Sequence, residues 1–430
     1  MAINSGKMTL AQKIIARAAS RDHVTAGEIV TCAVDLAMIH DSGGPRRVAP
    51  ILAQLNSPVW DTEKIVVVSD HYVPAVDAQS AAILAQTRKW VTDNKISHFY
   101  DMQGICHVLL PERGHLSPGM FVVGGDSHSP MGGAHGCLMF GVGATDMAGV
   151  LVTGETWIKV PQTIRIECRG ELPAAVSAKD MILALCAKLG MGGGKYQVVQ
   201  FTGPTIDAMG MTERMTLCNM TAELGALSGM IASDAITTAA IEAAGGVAGD
   251  LDRWQGDEGA VYFEEHVLDV GALAPQVAVP HSPANAMDVS KCRETKIDQA
   301  YLGACTGAKL EDLQMAAGIL KGRKVATSTR LLVAPASARI MAAAAADGTL
   351  AILTDAGALL MPTGCGACAG YGAGVLAENE VCIASTARNF KGRMGALTSQ
   401  VYLGSPYTVA ASAIAGQIAD PRDFLPEGGL

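Results

Sequence analysis

Two cysteines, Cys365 and Cys368, lie three positions apart in the run TGCGACAGYG, which otherwise consists mainly of glycine and alanine. Thiols at this spacing can form a redox dithiol, supply half of a zinc site, bind part of a larger metal centre, or fill space as small buried side chains. A thioredoxin-like dithiol needs no distant third cysteine. A structural zinc site usually draws on two close pairs of ligands, and the sequence offers one such pair.

A third thiol, Cys305, lies in the comparable loop LGACTGAK at the end of a predicted strand. Reading the cysteines as small buried residues accounts for neither the dense glycines nor this repetition. Three thiolates, two from one loop and one from another, favour an iron–sulfur cluster.

Candidate acids and anion-binding groups also follow predicted strands, where parallel strands of an α/β sheet deliver side chains at their carboxyl ends. The four runs are KIVVVSDH, ending in Asp70 and His71; GMFVVGGDSHS, ending in Asp126, Ser127 and His128; QAYLGACTG, ending in Cys305 and Thr306; and EVCIASTARNF, ending in Ser385, Thr386, Arg388 and Asn389. A carboxylate bonded to one imidazole nitrogen raises the basicity of the other, so Asp70 beside His71 is a candidate acid–base pair. Planar guanidinium groups suit carboxylates, which makes Arg388 and Arg393 candidate substrate clamps. Each has a structural alternative, such as a surface ion pair for Arg393.

The elements that position these residues are those of an α/β protein. A length of 430 residues predicts two or three domains, and 49% hydrophobic with only 4% aromatic residues is typical of alternating strands and helices. Ala-rich segments at 76–94 and 327–350 have helical character, although Pro335 interrupts the second. The segment 277–286 has the composition of a linker. We place domain boundaries near 160 and 287, which divides the chain into 1–160, 161–287 and 288–430.

Composition also limits the partners. The net charge of −9 and the scattered Lys and Arg residues lack the basic stripe that nucleic acids require. No signal peptide or membrane-spanning run is evident, so we expect no membrane association. We therefore expect a cytoplasmic location, where the eleven cysteines would stay reduced.

Several motifs together resemble the aconitase superfamily, and most closely the large subunits of isopropylmalate isomerase and homoaconitase and related dimethylmalate dehydratases. Beside the three cysteines, these motifs are VSDHYVP, GICHVLLPERGHLSPG, GGDSHSPMGGAHG, MTLCNMTAELGA and ARNFKGR. They run from about residue 25 to residue 410 in family order. The match therefore covers nearly the whole chain.

The resemblance implies three α/β/α domains around one [4Fe-4S] cluster, held by Cys305, Cys365 and Cys368 with one iron left open. It implies a hydro-lyase or isomerase that reversibly dehydrates a hydroxy-di- or tricarboxylic acid, such as a 3-isopropylmalate-like, homocitrate-like or dimethylmalate-like acid. An iron-sensing relative that has lost catalysis and a thiol oxidoreductase remain the alternatives.

Individual roles carry over from the same motifs. Asp70 and His71 would protonate the leaving hydroxyl, while Asp126 and His128 would manage the iron-bound water, with His107 paired to Asp126. The resemblance gives substrate-binding positions at His40, Ser127, Gln200, Arg388 and Arg393.

The chain also departs from the family pattern. Gln200 stands where the family usually has a glutamate, which predicts that His128 lacks a carboxylate partner. Ala304, Gly307 and Ala387 replace polar residues, which removes hydrogen bonds near the sulfides or the substrate.

One further departure concerns a whole domain. Nothing after residue 415 is long enough to be the fourth, swivelling domain of single-chain aconitases. We therefore expect a separate small subunit that supplies the catalytic base.

Overall fold

The computed structural model describes residues 6–425 and shows a mixed α/β chain with three sheets built around parallel strands. The first part of the chain contains strands β1 (Ile29–Ala33), β2 (Leu36–His40), β3 (Ile65–Ser69), β4 (His98–Asp101), β5 (Phe121–Gly124), β6 (Leu138–Gly141) and β7 (Glu155–Lys159). Its helices are α1 (Leu10–Ala18), α2 (Pro45–Leu55), α3 (Ala78–Asp93), α4 (Cys106–Glu112) and α5 (Ala144–Thr153). Strands β2 to β6 form a parallel sheet in the order β4-β3-β2-β5-β6, and β1 pairs antiparallel with β7.

The second part of the chain forms a four-stranded parallel sheet. Its strands are β8 (Thr163–Arg169), β9 (Val198–Thr202), β10 (Ser228–Ile231) and β11 (Glu264–Asp269). Its helices are α6 (Ala178–Leu189), α7 (Pro204–Asp207), α8 (Met211–Asn219) and α9 (Ala235–Ala243). The strand order is β10-β9-β8-β11.

The third sheet has seven strands. They are β12 (Gln276–Ala278), β13 (Ala286–Asp288), β14 (Gln299–Leu302), β15 (Arg330–Val333), β16 (Leu359–Leu360), β17 (Val381–Ala384) and β18 (Gln400–Leu403). The helices of this part are α10 (Leu310–Leu320), α11 (Ala338–Ala346), α12 (Thr349–Asp355) and α13 (Pro406–Ala415). Five strands run parallel in the order β18-β17-β14-β15-β16, and β12 and β13 extend the β18 edge antiparallel.

All three sheets are wound in the same way. In each sheet, the first of the parallel strands lies inside the sheet. The second and third parallel strands are added on one side of it, and the fourth lies on its other side. A sheet wound this way has a switch point between its first and fourth strands, and ligands of α/β proteins bind beyond the carboxyl ends of the strands there. The switch points lie between β2 and β5 in the first sheet and between β14 and β17 in the third.

The strands at the first switch point are buried on both faces, as a parallel sheet requires. Ala37 and Ile39 of β2 belong to one apolar core, which includes α1 and α5, while Leu36 and Met38 belong to a second core with α4. This alternation fixes the register of β2. The residues that follow it are therefore held at the sheet edge.

The four strands predicted to end in polar residues are all present, as β3, β5, β14 and β17. The segment 76–94 forms α3, as expected. The segment 327–350 is helical only in its second half, because Arg330–Val333 is strand β15 and α11 begins after Pro335. The presumed linker at 277–286 contributes to β12 and β13 of the third sheet.

Strand pairing also bears on the predicted domain limits. The limit at 160 falls between β7 and β8, where one sheet ends and another begins. The limit at 287 falls inside β13, which pairs with β12 of the third sheet. Within residues 6–425, no helix has both the length and the apolar character needed to cross a membrane.

Candidate active site

The loops that follow β2, β3 and β5 meet the loops that follow β14, β16 and β17. Three hydrogen bonds join them directly: the Cys365 backbone N–H donates to the Asp70 carbonyl at 2.8 Å, the Cys365 thiol donates to Asp70 Oδ2 at 3.9 Å, and Arg388 Nη1 donates to Ser127 Oγ at 2.8 Å. The structure thus brings the histidine–carboxylate loops of the first sheet against the cysteine and arginine loops of the third.

Asp70 and His71 form a buried ion pair after β3. His71 Nδ1 donates to Asp70 Oδ1 at 2.6 Å, and the other carboxylate oxygen accepts the Cys106 backbone N–H at 2.7 Å. Burial alone would lower the pKa of His71, but the charge and hydrogen bond of Asp70, followed by Asp41 and Asp126, raise this pKa to about 9. The pKa of Asp70 is correspondingly lowered, although burial opposes this. Because Nδ1 is engaged, Nε2 is the nitrogen available for proton exchange.

The loop after β2 positions this pair. The His40 ring stacks on the His71 ring with centroids 4.3 Å apart, and His40 Nε2 donates to the Gly125 carbonyl at 3.1 Å. Burial, and then the nearby His71, lower the pKa of His40 to about 4, so the ring that covers His71 is uncharged. Asp41 accepts the backbone N–H groups of His71 at 3.1 Å and Tyr72 at 2.9 Å, which fixes the turn after β3.

Asp126 gathers two histidines after β5. Its Oδ1 lies 2.8 Å from His107 Nε2 and accepts the His128 backbone N–H at 2.7 Å. Burial would raise the pKa of Asp126, but the hydrogen bonds and charges of the two histidines hold it well below its usual value. His107, which the sequence paired with Asp126, reaches it from the first turn of α4.

His128 has a carboxylate partner, so the expectation that Gln200 leaves it without one is wrong. His128 Nε2 lies 3.2 Å from Glu223 Oε1, in the 3₁₀ helix Met220–Leu224 that follows α8. Gln200 is buried in the middle of β9, and in the described part of the chain its side chain makes no hydrogen bond to the site residues. The carboxylate is thus supplied by the next motif along the chain.

Glu223 also binds Arg388. Arg388 Nε donates to Glu223 Oε1 at 2.7 Å while its Nη1 bonds Ser127. Burial would raise the pKa of Glu223, but His128 and Arg388 lower it. One buried carboxylate therefore orients both a predicted catalytic histidine and a predicted substrate-binding arginine.

Arg393 is not in a surface ion pair, the alternative considered for it. Across residues 6–425 no carboxylate lies within ion-pair distance of its guanidinium, and its Nε is buried without a hydrogen-bond partner. Burial lowers the pKa of Arg393, but the neighbouring Cys368 and Cys365 thiols, when ionised, more than offset this and raise it. Arg393 thus presents a cation toward the cysteine loop.

We expect Glu223→Gln to lower kcat/KM by about 100-fold, within the range for a perturbed acid–base group. The amide keeps the shape of the side chain but removes the charge that holds His128 and Arg388. Steady-state kinetics of the fully assembled enzyme measure this. Glu242→Gln, on the exposed face of α9, is the matched control; a Glu223→Gln enzyme as active as this control would contradict the assigned pairing.

The three cysteines lie within electrostatic range of one another. Cys305 and Cys368 are buried and Cys365 is half-buried, and Cys305 Sγ accepts a hydrogen bond from Asn219 Nδ2 at 3.2 Å. Burial, and then the charge of Cys368, raise the pKa of Cys305 to about 12, while burial, followed by Asp70, raises that of Cys365 well above its usual value. A redox dithiol needs a lowered thiol pKa, so this environment argues against the thioredoxin-like alternative.

The donor set suits a group with several metal ions. Among residues 6–425, two groups of three or more residues have possible ligand atoms that all lie within 4.8 Å of one another, and neither group contains a cysteine. The first group is His40, Asp41, Asp70 and His71; the second is His107, Asp126 and His128. Thiolates on one tetrahedral zinc ion would lie about 4 Å apart, as follows from a Zn–S distance near 2.3 Å. The three thiols are therefore too far apart to share one zinc ion. Buried polar atoms without partners surround them, namely Asn219 Oδ1, His107 Nδ1 and Arg393 Nε.

The glycines of the cysteine loop are required by its backbone. All five between 364 and 374 have positive φ, from +44° at Gly366 to +147° at Gly364. A Cβ on Gly364 would also lie 2.7 Å from the Asp70 carbonyl oxygen. The loop can therefore approach the Asp70 turn only with glycine at this position.

Two residues of the site were not singled out from the sequence. Glu223 lies within the motif MTLCNMTAELGA, which contributes to the family resemblance. The sequence comparison instead points to position 200, here Gln200, as the place of the carboxylate that pairs with His128. Lys179, a buried lysine of α6, donates to the carbonyls of Ser385 and Thr386 near the cysteines. A lone lysine in a helix carries no signal of its own.

Comparisons with known proteins agree with this geometry. The model of the aconitase family (aconitate hydratase) matches residues 12–296 and 290–416. A 3-isopropylmalate dehydratase large subunit from Methanopyrus kandleri is 44% identical, over 97% of this chain and 99% of that protein. A probable methanogen homoaconitase large subunit from Methanothermobacter thermautotrophicus is also 44% identical, over 98% and 99% of the two chains. A 3-isopropylmalate dehydratase large subunit from Oleidesulfovibrio alaskensis is 42% identical, over 96% and 99%.

Proposed function

The chain belongs to the aconitase family, and on that premise we propose that it is the cluster-binding large subunit of an enzyme that dehydrates a small hydroxy acid. The resemblance predicted from the motifs is confirmed, and so is the hydro-lyase class of activity. The iron-sensing and thiol oxidoreductase alternatives are not favoured.

Cys305, Cys365 and Cys368 are the proposed ligands of a [4Fe-4S] cluster. The observation that carries this proposal is the bond from the Cys365 backbone to the Asp70 carbonyl, because it sets the thiol loop directly against the Asp70–His71 pair. When bound, a cluster with three thiolate ligands offers one iron that can act as a Lewis acid toward a substrate hydroxyl. Thiolates that lie close together repel one another, and a shared cationic group would offset this repulsion.

The chain's own residues would then handle the proton and the carboxylates. His71, charged because of Asp70, would donate its Nε2 proton to the leaving hydroxyl, and neutral His40 would keep water from the ring. Asp126 would hold His107 and the backbone of His128 in place.

The arginines would bind the substrate carboxylates. Arg388 is fixed by Glu223 and Ser127, and its remaining N–H groups can bind a carboxylate. Arg393 has no carboxylate partner in the part of the chain that the structure describes, so a substrate carboxylate would supply the missing charge.

The proposed substrates are 3-isopropylmalate-like, homocitrate-like or dimethylmalate-like acids. The first two rest on the names of the relatives, a 3-isopropylmalate dehydratase and a homoaconitase, and the third rests on the resemblance of the motifs alone. Absorbance of the unsaturated product, measured over a panel of these acids with the reconstituted enzyme, would identify the preferred one. The three-domain division and the cytoplasmic location remain predictions.

We expect the isolated chain to assemble the cluster but to show less than about 1% of the activity of the complex, because the base that removes the carbon-bound proton would come from a small swivelling subunit. The relatives named large subunits support this partner. The test compares turnover by the reconstituted chain alone with turnover after adding the candidate small subunit. Full activity without a partner would overturn the two-subunit proposal.

A further inference from the structure

Lys179 is a buried cation without a carboxylate partner. It lies in the first turn of α6, with 2% of its surface exposed, and its Nζ donates to Ser385 O at 2.9 Å, Thr386 O at 2.6 Å and Thr306 Oγ1 at 3.3 Å. Throughout residues 6–425, no carboxylate oxygen lies within 4 Å of this ammonium group. Burying a charge without a counter-charge is costly, so its presence here calls for an anion nearby.

Lys309 shows what a balanced buried lysine looks like in the same region. Its Nζ donates to the Cys305 carbonyl at 3.0 Å and forms an ion pair with Asp312 at 2.7 Å. The acid next to Lys179 in the chain does not serve it in this way, because Asp180 accepts the backbone N–H groups of Ser177 and Gln276. Of the two buried lysines, Lys179 alone is left without a carboxylate.

Lys179 lies beside the loop of a proposed cluster ligand. Thr306, which Lys179 contacts, directly follows Cys305. Burial lowers the pKa of Lys179 to about 8, and the groups that oppose this shift include Cys305, Cys368 and Asp312. Cysteines bind metals as thiolates, so a cluster at this site would place negative charge beside Lys179.

The contacts of Lys179 also join two loops of the site. Thr306 belongs to the loop after β14, which carries Cys305, whereas Ser385 and Thr386 belong to the loop after β17, which leads to Arg388. A helix of the second sheet thus ties together the two loops at the switch point of the third.

We propose that Lys179 is a positioning residue for the cluster, which supplies the counter-charge to its thiolate ligands and holds the Cys305 loop against the Arg388 loop. The inference rests on the proposed function, since it requires a cluster at these cysteines. A cation beside an iron–sulfur group favours its reduced, more negative state, so Lys179 raises the reduction potential.

The test compares reconstituted wild-type protein with Lys179→Gln, which keeps N–H donors but removes the charge, and with Lys179→Arg, which keeps the charge. Lys188→Gln, on the exposed end of the same helix, is the matched control. Redox titration followed by electron paramagnetic resonance gives the cluster potential, and chelator-driven bleaching gives the rate of iron loss.

We expect Lys179→Gln to move the potential to more negative values and to speed iron loss by about 10-fold, the lower end for changes around a metal site. Lys179→Arg and Lys188→Gln should keep a potential near that of the wild type. If Lys179→Gln does not fold, the cluster potential of Lys179→Arg is the test. A shifted potential in this variant, which keeps the positive charge, would overturn the proposal.

The failures of the two proposals can be told apart. A wild-type chain that assembles no cluster would overturn the proposed function and this inference together. A wild-type cluster whose potential is unchanged by Lys179→Gln would overturn the inference alone and leave the proposed function standing.

Discussion

Cys305→Ser is expected to abolish the [4Fe-4S] signal of the reconstituted chain and to lower the activity of the complex by more than about 100-fold, the upper end for changes in the outer shell of a metal site. A serine hydroxyl is a much poorer ligand for iron than a thiolate and reaches less far. Cys305 is buried, and its sulfur accepts a hydrogen bond from the Asn219 amide. Visible absorbance and electron paramagnetic resonance report the cluster.

Cys106 provides the matched control because it is a buried cysteine at the same site. Its backbone N–H donates to Asp70, and Cys365 is among its electrostatic neighbours, yet it begins α4 of the first sheet and is outside the proposed ligand set. Cys106→Ala should keep the cluster and most of the activity. Retention of a full cluster signal in Cys305→Ser would rule out the three-cysteine site.

Much of the site could be predicted because its residues lie next to strong local signals. Buried β-rich runs that end in Asp70 and His71, or in Asp126 and His128, indicate both a strand and its carboxyl end. Once the strands are known, parallel pairing brings their ends to a common edge without any further information.

The pairing of Glu223 with His128 could not be predicted in the same way. The two residues come from different sheets, and their contact depends on how the 3₁₀ helix after α8 packs against the first sheet. Motif position suggested Gln200 instead, which lies in the middle of β9 and makes no contact with the histidine. A strand interior and a strand end can look alike in sequence when both are flanked by apolar residues.

The errors in the fold have a similar origin. The sequence predicts a helix where strand β15 lies, because the Ala-rich stretch after Pro335 dominates the composition of residues 327–350. Strands β12 and β13 are only three residues long and flank the Pro- and Ser-rich turn that resembles a linker. Both join the third sheet through long-range pairing, which local composition does not report.

The loops of two of the three sheets carry the residues proposed for the chemistry. The proposed proton-handling pairs follow β3 and β5 of the first sheet, whereas the cysteines and arginines follow β14, β16 and β17 of the third. The second sheet contributes side chains from helices and helix ends, namely Lys179, Asn219 and Glu223. Glu223 bonds a residue from each of the other two sheets, and such long-range contacts carry no signal in the local sequence.

The Asp70–His71 pair gives the second large effect. Asp70→Asn should lower kcat of the assembled enzyme by about 100-fold or more, since it removes the carboxylate that keeps His71 protonated and oriented. In the wild type, dehydration should fall as pH rises through about 9, the raised pKa of His71. In Asp70→Asn, the pH at which the activity falls should move toward 6.5, the ordinary pKa of histidine.

The same pair predicts how stability depends on pH. A histidine whose pKa is raised in the folded state contributes stability that is complete below its unfolded pKa, near 6.5, and is lost as pH rises through about 9. The unfolding free energy of the wild type should therefore decline over this window, and that of Asp70→Asn should decline less. Urea unfolding at pH 6.5 and 9.5, with pH–rate profiles, measures both effects. The control Asp77→Asn, at the exposed N-cap of α3, should match the wild type. If the activity of Asp70→Asn still fell only near pH 9, another group would set the charge of His71.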